Sequence, residues 1–167
     1  MGTLRSALSI AVVGDVIPSR STFPGGSPVS QRPLGRALLD AGADVVVGSH
    51  PHRVLGIERH DGKAIFYSPG TLVEQLSGEG LAPEIAGIFD LLLPDSFVAT
   101  LEVASDGGYG IRITPTTVDG EGVPMPAEGE AFARIAERLV RMSAALGTAM
   151  DVREDALEVA LGSTVAE

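Results

Sequence analysis

The stretch Gly42-Ala43-Asp44-Val45-Val46-Val47-Gly48-Ser49-His50-Pro51-His52 sets a run of branched apolar residues ahead of a glycine and two histidines. Residues 45–47 read as a buried strand, because β-branched side chains fit a pleated, covered surface. Gly48 permits a sharp backbone turn, and Pro51 holds φ between the histidines. Two imidazoles are thereby expected at the C-terminal end of a strand, where α/β sheets place their ligand sites. Such a pair is also compatible with ordinary surface histidines, so the neighbouring elements carry much of the argument.

Upstream, residues 8–17 read as a first buried strand that ends at Gly14-Asp15, a carboxylate suited to binding a metal or capping a turn. Residues 18–32 are rich in Ser, Pro and Gly and read as a loop. Residues 33–41 read as a helix with Leu34, Ala37, Leu38 and Ala41 on its apolar face, Pro33 in the first turn and Gly42 just past the end. Strand, loop, helix, strand predicts parallel pairing of the first two strands.

Downstream, residues 54–59 and 64–67 flank Asp61-Gly62 as a hairpin. Thr71 and Glu74 have capping-box spacing for a short helix. Residues 78–87 read as a loop, and residues 88–93 fit either a strand or a buried helical turn. Residues 97–103 and 110–118 form a second hairpin around Asp106-Gly107-Gly108, followed by a Gly/Pro-rich link over 119–129. The strongest helical pattern covers 127–146, with Phe132, Ile135, Ala136, Leu139, Val140 and Leu146 as its apolar stripe. Glu130–Arg134 and Glu137–Arg141 have i,i+4 spacing on the solvated side. A short strand is expected near 157–161.

The 167 residues suit one domain, and 44% hydrophobic content with 4% aromatics predicts an aliphatic core. The chain has no cysteine, which excludes disulfides, thiolate nucleophiles and Cys-ligated zinc. A net charge of −10 argues against nucleic-acid partners. No apolar run has the length of a membrane span, and the 4–17 segment lacks a signal-peptide cleavage pattern, so a soluble chain without a membrane segment is expected; the compartment stays open. No dinucleotide fingerprint or Gly-x-Ser-x-Gly elbow is present. Arg20, Arg53 and Arg59 are candidates for a local basic patch.

Asp-Ala-Gly-Ala-Asp-Val-Val-Val-Gly-Ser-His-Pro-His, with the later Gly-Ile-Glu and Gly-Lys-Ala-Ile-Phe-Tyr-Ser-Pro-Gly-Thr-Leu-Val, resembles the CapA-like poly-γ-glutamate capsule-synthesis family. That family resembles a branch of the calcineurin-like metallophosphoesterases. The resemblance implies one shortened domain over 1–167: a first strand at 1–17, the loop at 18–32 in place of the family's middle, the family's C-terminal half at 33–148, and a tail at 149–167. The implied fold class is α/β, a truncated metallophosphoesterase-like sandwich with a mixed sheet and flanking helices.

Carried over by position, the resemblance makes Asp15, His50 and His52 metal ligands, with His60, Glu58 and Asp44 as reserves. His60 is expected to be exposed beside its turn, and Asp44 to open a strand. Carboxylate and imidazole suit Mn, Fe or Zn, and two ions about 3.5–4 Å apart would clamp a phosphoester. The family's Asn-x-Glu, Asn-Asn-His and His-x-Gly-x-Glu motifs are missing, and the chain contains no asparagine. Pro69 stands where the family prefers Leu, and Thr71 where it has Asn. Three ligands support at most one ion with open positions. Two functions follow: a reduced, single-metal phosphoesterase-type hydrolase, or a non-catalytic binding or assembly protein in polymer synthesis or export, acting as a homo-oligomer or with a capsule-synthesis partner.

Overall fold

The two valine-rich runs lie side by side. The computed structural model describes residues 9–13, 31–49, 51–72, 95–105, 108–119 and 123–159. Within them β1 (Ile10–Val13) pairs in parallel with β2 (Val45–Gly48), Ile10 opposite Val45 and Val13 opposite Gly48. β2 pairs in parallel with β4 (Lys63–Phe66), and β4 pairs antiparallel with β3 (Ile57–His60), giving the order β1-β2-β4-β3. The hairpin turn is Asp61-Gly62, with φ of 49° and 76°, the two positive values that a two-residue turn of this hand requires.

The first helix, α1 (Arg32–Asp40), ends as expected: Gly42 takes φ 112°, and the amides of Gly42 and Ala43 bond back to Leu39 and Leu38. Its buried face differs from the expected Leu34, Ala37, Leu38 and Ala41. Gly35 and Leu39 are buried, Leu38 is half-buried, and Leu34, Ala37 and Ala41 are exposed. Gly35 lets the helix approach Ile65, whose Cδ1 would lie 3.0 Å from a Cβ at that position. Arg32 and Arg36 share this inward face because they reach a buried carboxylate, Glu58.

The second sheet has the order β5-β6-β9-β8, where β5 is Ser96–Val103, β6 Tyr109–Val118, β8 Asp151–Val152 and β9 Leu157–Val159. The expected 119–129 link contains a further strand, β7 (Pro124–Pro126), paired with the end of β6. Its two prolines hid it, since proline is unfavourable in strands except at edges. An isolated bridge between Val54 and Pro69 extends the β3–β4 hairpin, and one between Gly70 and Ser96 ties this segment to the first strand of the second sheet. Glu74, the 78–87 and 88–93 segments, Asp106 and Gly107 lie outside the described residues.

One core cluster joins Val45, Ile57 and Phe66 of the first sheet to Phe97, Ile111, Ile113 and Leu157 of the second and to the second helix, α2 (Gly129–Ala144). A smaller cluster gathers Leu39, Val46, Ile65 and Tyr67 between α1 and the first sheet. In α2, Ile135, Ala136 and Leu139 are buried as the periodicity predicts. Arg134 turns from the expected Glu130 to buried Asp95, with Nε to Oδ2 at 3.0 Å and Nη2 to Oδ1 at 2.7 Å. A bidentate bond to a carboxylate shielded from water outweighs an exposed i,i+4 pair.

The first sheet ends differently on its two sides. Along β3, the amides of Ile57 and Arg59 donate to Ser143 Oγ (3.0 Å) and Thr148 Oγ1 (2.7 Å), so α2 and the turn after it cap that edge. Along β1, Ile10 and Val12 are 52% and 74% exposed, which corrects the expectation of a buried first strand. No strand among the described residues pairs with the outer side of β1. An apolar cavity of about 270 Å³ lies beside it, lined by Ile10, Val45, Val47, Phe97, Ala99 and Leu101 among others.

Candidate functional site

Parallel pairing makes β1 and β2 finish together, at Val13 and Gly48, at one end of the first sheet. Asp15 follows Val13 by two residues in sequence, and His50 follows Gly48 by two. Both lie outside the described residues. Gly48 serves close approach and not the sharp turn inferred from the sequence. Its φ is not positive, and a Cβ there would lie 2.8 Å from the carbonyl oxygen of Tyr67, just past the end of β4.

His52 is half-buried and takes φ 51°, a left-handed conformation that costs a non-glycine residue on the order of 1 kcal/mol or more. Pro51 before it is buried. Nδ1 of His52 lies 3.0 Å from Thr71 Oγ1. A bond at Nδ1 orients the ring and makes Nε2 the nitrogen that would meet an ion, the usual arrangement behind a metal-bound imidazole. The donor set is chemically apt in this respect. Among the described residues no group of three His, Asp or Glu side chains converges to hold a metal, and the expected ligands Asp15 and His50 lie outside them.

The reserve ligands are committed elsewhere. Glu58 is fully buried and accepts from Nε and Nη2 of Arg32 (3.0 and 2.8 Å), from Arg36 and from the Tyr67 hydroxyl. Burial alone would raise its pKa; hydrogen bonds from Arg32, Tyr67 and Arg36, with the charge of Arg32, outweigh that and bring it down to about 2. Burial, reinforced by Glu58, pushes the Tyr67 hydroxyl far above the ordinary tyrosine range. Asp44 opens β2 as expected, accepting from the Ser9 amide at 2.8 Å and lying 3.8 Å from Lys63 Nζ. His60 is half-buried and not exposed as expected, with Nε2 3.7 Å from Asp61 and 3.9 Å from Asp40. The Glu58 cluster was missed in the sequence because its basic partners sit more than twenty positions away, although the i,i+4 spacing of Arg32 and Arg36 was visible.

Of the arginines considered for a basic patch, Arg20 lies outside the described residues and Arg59 is exposed on β3. Arg53 is half-buried, and its charge acts on Arg138 of α2.

Residues 26–76, which include β2, β3, β4, α1 and the His-Pro-His loop, match the sequence model of the bacterial capsule synthesis protein family PGA_cap. Over that segment the chain is similar to CapA proteins. It is 56% identical over 43 residues to the PGA biosynthesis protein CapA of Bacillus subtilis, a match that covers 26% of this chain and 11% of that protein. It is 26% identical over 134 residues to the capsule biosynthesis protein CapA of Bacillus anthracis, covering 78% of this chain and 29% of that one. Two proteins of Sinorhizobium fredii, y4sH and y4uA, are each 52% identical to it over 40 residues. The chain thus spans less than a third of the CapA proteins it matches. Among its described residues no helix is long and apolar enough to cross a membrane.

Proposed function

We propose that this CapA-like chain acts in poly-γ-glutamate capsule biosynthesis through a reduced metal centre of metallophosphoesterase type. One divalent ion (Mn, Fe or Zn) would be held by Asp15, His50 and His52, with coordination positions open to water and a phosphoester. The observation that carries the reading is His52: a strained, half-buried histidine, oriented through Nδ1 by Thr71, in the loop after the parallel strand of the family-matching segment. Strain of this kind persists where the surroundings enforce it, and it concentrates at functional sites. Such an ion would supply Lewis acidity for phosphoester hydrolysis, and the chain's part would be to hold it through the imidazoles of His50 and His52 and the carboxylate of Asp15.

Metal analysis of the purified protein tests this. One equivalent of Mn, Fe or Zn, lost in the His50→Ala/His52→Ala variant together with hydrolysis of a model phosphodiester, supports it. A metal-free protein that neither takes up these ions nor hydrolyses the ester overturns it.

The exposed β1 edge favours a second reading, a non-catalytic assembly protein. An unpaired apolar edge strand is a template for another strand, either from a second copy or from a capsule-synthesis partner. A stable oligomer in sedimentation that dissociates on Val12→Lys, in a metal-free protein, would select this reading over the first.

A further inference from the structure

Two arginines of α2 hold two different segments of the chain, and both segments lead to His52. Arg138 donates from Nε to the carbonyl oxygen of Val54 at 2.6 Å, two residues after His52. Arg134, four positions earlier on the helix, grips the buried carboxylate of Asp95 with Nε and Nη2 at 3.0 and 2.7 Å. Asp95 in turn opens a run that fixes the segment before Thr71. Ser96 Oγ and the Phe97 amide both donate to the carbonyl oxygen of Pro69, at 2.8 and 3.1 Å. Gly70 bridges to Ser96 and takes φ 89°, packed so closely on the Asp95 carbonyl oxygen that a Cβ would have no room. Thr71 comes next, and its Oγ1 lies 3.0 Å from Nδ1 of His52.

A hydroxyl can orient an imidazole only if the backbone behind each of them is fixed. Hydrogen bonds lose their strength within a few tenths of an ångström beyond about 3.2 Å, so a small relative slip of the two segments breaks this one. Bonds from guanidinium groups are stronger than neutral ones, and here they come from neighbouring turns of one helix. The left-handed φ of 51° at His52 adds a second demand, because a strained residue relaxes unless its surroundings hold it. Arg138 anchors the chain just after that residue, and Arg134 anchors the support of its Thr71 partner.

We infer that Arg134 and Arg138 are positioning residues for His52. Acting through Asp95 and Thr71 on one side and Val54 on the other, they keep Nδ1–H of His52 donating to Thr71 and turn Nε2 towards the place of the proposed ion. The part given to Nε2 rests on the metal reading above; the Nδ1–H tautomer stands apart from it.

The test reads that tautomer directly, from imidazole nitrogen–proton correlation spectra of the full chain in EDTA. A pH of about 8, above the ordinary histidine range, keeps the ring neutral. His52→Gln assigns the signals. The parent should show mostly the Nδ1–H form, and Thr71→Val should shift His52 to mostly the Nε2–H form that free imidazole favours. Arg134→Met and Arg138→Met should shift it in the same direction, whereas Arg134→Lys, which keeps a charged bond to Asp95, should restore most of the parent spectrum. Ser143→Ala loosens the C-terminal end of the same helix and should leave His52 unchanged. Circular dichroism checks each fold; if Arg134→Met does not fold with Asp95 left unpaired, Arg134→Met/Asp95→Asn takes its place. The inference is overturned if the parent shows the Nε2–H form, if either folded arginine variant keeps the parent spectrum, or if Ser143→Ala shifts His52 as far as they do. Metal uptake, measured separately, bears on the ion alone.

Discussion

The first sheet has two edges, and they are built on opposite plans. At β3 the edge is finished: Glu58 is buried under two arginines and a tyrosine, Gly56 packs against the Met142 backbone, and Ser143 and Thr148 accept the outward amides. At β1 the edge carries exposed Ile10 and Val12 and, among the described residues, pairs only inward, to β2. An amide facing a hydroxyl on a packed helix has no use for another strand, whereas an unpaired apolar edge invites one. Among the described residues the packing contacts are therefore concentrated on the β3 side, and the assembly surface proposed above lies on the β1 side.

Five measurements would break or sharpen this contrast. Glu58→Ala leaves two arginines facing a void beside the core and should cost about 3–5 kcal/mol in urea unfolding; a loss below about 1 kcal/mol would show that the anchor is ornamental. Acid should act on the same group. Because the folded pKa of Glu58 is depressed to about 2, its contribution is complete above its ordinary range near pH 4.5 and is lost as pH falls from there towards 2. That loss should be on the order of 3 kcal/mol and absent from the Glu58→Ala variant.

Gly56→Ala would place a Cβ 2.8 Å from backbone atoms of Met142, forcing α2 away from β3 at a cost of about 1–3 kcal/mol in thermal or urea unfolding. Ser143→Ala strands the Ile57 amide at the same seam and should cost about 1 kcal/mol. On the open side, Val12→Lys should change monomer stability by less than about 0.5 kcal/mol while abolishing any self-association seen by sedimentation. A large stability loss there would mean that β1 is covered after all.

Much of this was legible in the residues. The valine runs with a helix between them predicted parallel strands, Asp61-Gly62 predicted the turn, and the aliphatic stripe of α2 predicted its buried face, because each signal is local and periodic. The family resemblance rested on the same central segment that the comparisons match. What failed was long-range. The face of α1 was misread because Glu58, 22 residues beyond Arg36, draws two arginines inward. Arg134 was assigned to Glu130 because Asp95, 39 residues away, has no sequence signature. β7 was hidden by prolines that an edge strand tolerates.

By itself, then, the sequence determined the α/β alternation, the strand ahead of the His-Pro-His loop and the candidate ligands Asp15, His50 and His52. Backbone propensity and apolar periodicity act over a few residues and leave a pattern that can be read directly. Only the tertiary structure decided that Glu58 is an anchor and not a ligand, that Thr71 orients His52, that Arg138 of α2 bonds to the Val54 carbonyl, and which sheet edge carries no partner strand among the described residues. Those outcomes depend on which charges are withdrawn from water together, and chain proximity carries no record of that.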